Sequence, residues 1–146
     1  MQSIMAAGVD GFNYNSSSRT GINLPSLTDQ TPFIKWVKAF KTYMLSFPAA
    51  QFAVNNETRP PKPIKSAKHT KATFKPAVDR WILQLEKWNT GNSLIFSHIS
   101  SATETSVRAT NILETVTHGD GWAAIKALEQ EFLSSDNTKE QLADLK

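Results

Sequence analysis

The stretch from Asp79 to Ser100 constrains this chain most. Trp81, Leu85, Trp88, Ile95 and Ile99 recur at helical spacing on one face, Ile82 and Phe96 widen that face, and only Asn92 interrupts it. Two tryptophans on one stripe offer more apolar area than any other segment of the chain, so neighbouring helices are expected to dock against it as a central core helix. Gly91 weakens a helix by about 1 kcal/mol relative to alanine, which leaves open a kink or a split into two helices between Asn89 and Asn92.

The segments on either side follow the same period. Thr31-Pro32 reads as an N-cap followed by proline at the first helical position. Phe33, Trp36, Val37, Phe40, Tyr43, Met44 and Phe47 then form an aromatic stripe, with Lys35, Lys38 and Lys41 on the other face and Pro48 limiting the end. After the central helix, Glu104 marks a shorter helix whose apolar positions are Val107, Ile112, Leu113 and Val116, closed by His118-Gly119. Asp120 is the expected N-cap of the next helix, which turns Trp122, Ile125, Leu128, Phe132 and Leu133 inward. A last helix is expected from Asn137, with Leu142 and Leu145 inward, and its end after so few turns suggests a cut from a longer polypeptide. No strand-like alternation appears, so the expected fold is an all-α orthogonal bundle of about five helices. Its core is expected to hold Trp36, Phe40, Trp81, Leu85, Trp88, Ile95, Ile99, Trp122, Leu128 and Phe132.

A length of 146 residues predicts one domain, read as residues 31–146 behind a mobile arm of residues 1–30. The arm is rich in Ser, Asn and Gly, although Phe12, Tyr14, Ile22, Leu24 and Leu27 offer points at which it is pinned to a groove. Cysteine is absent, which excludes disulfides, thiol nucleophiles and cysteine-based zinc sites. No apolar run approaches membrane-spanning length and no signal segment is evident, so an intracellular, cytoplasmic protein without membrane partners is expected.

The net charge of +3 is unevenly placed. Arg59, Lys62, Lys65, Lys68, Lys71 and Lys75 follow one another with no acid between Glu57 and Asp79, whereas acids outnumber bases from Arg80 onward. Pro60, Pro61, Pro63 and Pro76 punctuate this basic segment, which is read as a loop over residues 55–77, extended at least as far as Pro63. Such a segment serves either as a solubilising linker or as a phosphate-contacting arm that binds RNA without sequence choice.

The titratable residues form no enzymatic signature. His69, His98 and His118 lie in no metal-ligand spacing, Gly119-Asp120-Gly121 lacks the lysine and spacing of a nucleotide loop, and Glu129 and Glu131 cannot share a helix face. The expectation is a protein without catalysis, cofactor, metal or small-molecule substrate.

The order of these features resembles the capsid region of the Gag polyprotein of copia-type LTR retrotransposons. Leu24-Pro25-Ser26-Leu27, the Trp36 helix, the run from Trp88 through Ile95 to Ile99 and Ser100, and the helix from Gly121-Trp122 to Leu128 and Phe132 carry the resemblance, which covers residues 24–146. The chain departs from the family at Asn92, where an acid or small residue is usual, in its long Lys/Pro linker, and in lacking the zinc knuckle that often follows the capsid. The resemblance implies a structural protein that self-associates into virus-like particles enclosing RNA. A small helical nucleic-acid-binding module, or a scaffold domesticated from a capsid, are the other readings.

Overall fold

The computed structural model describes residues 23–133. Among them the chain is all-helical, as the sequence predicts: α1 (Phe33–Met44), α2 (Pro48–Asn55), α3 (Lys71–Ala102), α4 (Val107–Leu113) and α5 (Gly121–Leu133). The helix expected from Asn137 lies outside the described residues, as do Phe12, Tyr14, Ile22 and the rest of the arm before residue 23.

The extended segment ahead of α1 belongs to the packed body from Leu24 onward. Leu27 is fully buried and its backbone N–H donates to the Ala102 carbonyl at 2.8 Å, while the Trp36 indole donates to the Pro25 carbonyl at 2.9 Å. Thr28 and Thr31 then close a hydroxyl-bonded turn, with Thr28 N–H donating to Thr31 Oγ1 at 3.1 Å. That leaves Pro32, not Thr31, as the residue flanking α1.

In α1 the stripe Phe33, Trp36, Phe40, Tyr43 and Met44 is buried, with Trp36 stacked on Phe40 at 4.9 Å between ring centres. Burial pushes the Tyr43 hydroxyl pKa up. Pro48 does stop α1, but it also opens α2 as a first-turn proline. The periodicity reading passes over α2 because Pro-Ala-Ala-Gln-Phe-Ala-Val-Asn has little apolar bulk, yet its Ala50 and Ala53 are completely buried.

Helix α3 is unbroken over 32 residues, about 48 Å. Gly91 does not split the helix; it lets α2 approach. A Cβ added there would lie 2.7 Å from Ala53 Cβ and 3.2 Å from the Ala49 carbonyl oxygen. Only the part of α3 from Trp88 onward is core, with Trp88, Ile95, Phe96, Ile99 and Ala102 buried. Trp81 and Leu85 are half-buried, and Ile82 and Leu83 are 43% and 60% exposed, so the first turns carry the stripe beyond the helices that cover it.

The start of α4 differs from the expectation at Glu104. Ser106 is the N-cap, accepting from Ala109 N–H at 3.0 Å and donating its own hydroxyl to Asp29. Val107 therefore falls on the outer side and is 71% exposed, while Ala109 is buried. Gly119, at φ 89°, turns the chain into α5. Arg108 ties α4 to α5 through Glu131, at 3.0 Å from its carboxylate and 2.9 Å from its carbonyl, with the guanidinium 4.2 Å from the Phe132 ring centre. Trp122, Ala124, Ile125, Leu128 and Phe132 complete the core.

Candidate nucleic-acid interface

The segment from Asn56 to Thr70 links α2 to α3 and holds most of the basic cluster. Prolines at 60, 61 and 63 favour an extended backbone without internal hydrogen bonds, which needs outside anchors. Two tryptophans of α3 supply them: Trp88 Nε1 donates to the Asn56 carbonyl at 2.7 Å and Trp81 Nε1 to the Pro60 carbonyl at 3.0 Å. The spacings agree. Seven helical residues rise about 10 Å and four residues of polyproline-like chain span about 12 Å, so the segment runs antiparallel along α3.

The slack between Pro60 and α3 is taken up by a turn. Ser66 N–H donates to His69 Nδ1 at 3.1 Å, His69 N–H donates to the Ser66 carbonyl at 3.0 Å, and the imidazole rests 5.5 Å from the Phe74 ring. Thr70 and Thr73 then form a capping box that starts α3. The sequence reading places a loop as far as residue 77, whereas Lys71, Lys75 and Pro76 are helical. The capping box starts the helix ahead of Pro76, and the proline forfeits only the bond to the exposed Ala72 carbonyl.

The six cations thus lie in the segment before α3 and in its first turns, but differ in engagement. Arg59 places its guanidinium 5.7 Å from the Trp88 ring centre, and Lys75 pairs with Asp79 at 2.8 Å. Lys62, Lys65, Lys68 and Lys71 are exposed and enter no ion pair among the described residues. Arg80, further along α3, is exposed as well, but at about 3.6 residues per turn it faces away from Lys71 and Lys75. Of the lysines of α1, Lys41 sits 5.0 Å from the Trp122 ring centre.

Two features here escape periodicity. Ile64, between Lys62 and Lys65, is 87% exposed. An open groove of about 540 Å³ lies where α3 ends and α4 begins, floored by Phe96, Leu113 and Val116 and edged by Glu104, Glu114 and His118. The histidines are packing groups: His98 Nδ1 lies 2.9 Å from the Leu94 carbonyl and its ring contacts Phe47, and His118 lies against Phe96. No group of three His, Cys, Asp or Glu is placed to hold a metal, and no helix is long and apolar enough to cross a membrane, among the described residues. The chain matches no family model, no curated protein and no solved structure.

Proposed function

We propose that this chain is a structural capsid domain of the Gag type, assembling with copies of itself into cytoplasmic particles that enclose RNA. The observation that carries this reading is that the segments bearing the resemblance meet in one core. The Leu24 to Leu27 segment is bonded to Trp36 and to the end of α3, and the starts of α3's core stretch and of α5 are each tied by an indole to the region around α2. Such a domain holds its fold by the tryptophans and leaves outer surfaces for many weak contacts between copies, which suffice for a shell.

The basic segment supports the RNA part of the proposal. Its four uncommitted lysines are exposed on a backbone already anchored, so contact with phosphates costs little ordering. Electron microscopy of concentrated protein, with and without RNA, tests the assembly: particles or a regular lattice are expected. Monomers under every salt condition, with RNA still bound, would favour a small nucleic-acid-binding module, the reading that rests on the lysines alone.

A further inference from the structure

Ile64 and the glutamate-edged groove are complementary, and we infer that the Lys62–Lys65 segment of one copy docks into this groove on a second copy. The inference rests on the self-assembly reading and names its contact. Lys62-Pro63-Ile64-Lys65 presents one apolar side chain, 87% exposed, between two cations. The groove presents Phe96, Leu113 and Val116 as an apolar floor, with Glu104 and Glu114 exposed beside it and a volume of about 540 Å³, ample for a branched aliphatic side chain. The segment is held extended by Pro60, Pro61 and Pro63 and bonded to Trp81, so little freedom is lost on docking.

A copy cannot fill its own groove. Trp81, which holds Pro60, and the groove residue Phe96 are fifteen residues apart on the unbroken α3, about 22 Å. Each copy offers both halves, so the contact closes as a reciprocal two-fold pair or repeats head-to-tail into rings and open arrays, and the mass reached in sedimentation tells which. Opposite charges at the edge of the contact make it faster to form and weaker in salt.

Sedimentation of the full, nucleic-acid-free chain over a range of concentrations tests this. K62E/K65E and E104K/E114K alter only exposed side chains, and each variant alone is expected to associate at least about tenfold more weakly than the native chain. An equimolar mixture of the two is expected to recover association, because every segment then finds a groove of opposite charge. Ile64→Ser is expected to weaken association without being rescued by either partner's charge change. Variants that associate like the native chain, or a mixture that stays monomeric while the native chain associates, overturn the docking and leave the capsid reading standing. A native chain that is monomeric at every concentration, with and without RNA, overturns both.

Discussion

The Asn92 side-chain amide donates to Asp120 Oδ1 at 3.0 Å, and the same side chain accepts from the Trp122 backbone N–H at 2.8 Å. Asp120 Oδ1 also accepts from Ala123 N–H at 3.1 Å, so two residues from distant parts of the chain together satisfy the start of α5. The one polar interruption of the α3 stripe is thus a cap for another helix.

Asn92→Ala leaves the buried Trp122 N–H without its acceptor and takes one of two donors from Asp120, which keeps Ala123 N–H. A loss of about 2 kcal/mol in stability is expected from denaturant unfolding. Asn92→Asp places a second carboxylate beside Asp120. That repulsion raises carboxylate pKa values in the folded state alone, so the variant's stability is expected to fall as pH rises through the carboxylate range, a dependence the native chain lacks at this position.

Gly91→Ala sets helix propensity against packing. The substitution favours α3 by about 1 kcal/mol. The added Cβ, 2.7 Å from Ala53 Cβ, forces α2 away at a cost of about 1 to 3 kcal/mol. A net loss is expected in thermal or urea unfolding. In the double variant with Ala53→Gly the loss should be smaller than the two single losses combined, because the tightest contact, with Ala53 Cβ, is removed and only those with the α2 backbone remain.

Binding to single-stranded RNA is expected to show a salt slope near −3, since Lys75 is paired and Arg59 rests on Trp88, leaving four lysines at about 0.7 each. Six independent cations would give about −4. Fluorescence anisotropy with a short homopolymer, titrated at several salt concentrations, separates the two. Lys68→Ala with Lys71→Ala is expected to reduce the slope by about 1.4 without altering the docking segment.

Alkaline stability reports on Tyr43, whose hydroxyl is buried and holds its proton above the usual range. Above about pH 10 the unfolded chain releases this proton while the folded chain keeps it, so stability falls as pH rises. Tyr43→Phe is expected to flatten that decline in denaturant titrations from about pH 9 to 11. An equally steep decline in the variant would assign it to other groups.

The helical class and the inward faces of α1 and α5 were legible because both elements are covered along their length, and periodicity reports a face directly. The basic cluster was legible from charge order alone. Much of the rest depends on which stretch of a face meets a partner. Trp81, Leu85 and Ile82 continue the stripe of Trp88 and Ile95, yet α2 and α5 do not cover that end, and the indole of Trp81 holds a proline segment instead. Helix α2 has only eight residues, its larger apolar side chains Phe52 and Val54 are two apart and not at helical spacing, and its buried alanines pack where Gly91 leaves room.

By itself the sequence determined that the chain is helical, where the tryptophan-bearing helices lie, and that one basic, proline-rich stretch separates two of them. Only the tertiary structure decided that Gly91 is a contact and not a hinge, that Asn92 caps α5, and that Ile64 stands out of the basic stretch opposite in character to the groove beside α4. Local spacing records what a residue prefers, whereas close approach, capping across the chain and exposed complementarity arise between segments that the sequence keeps far apart.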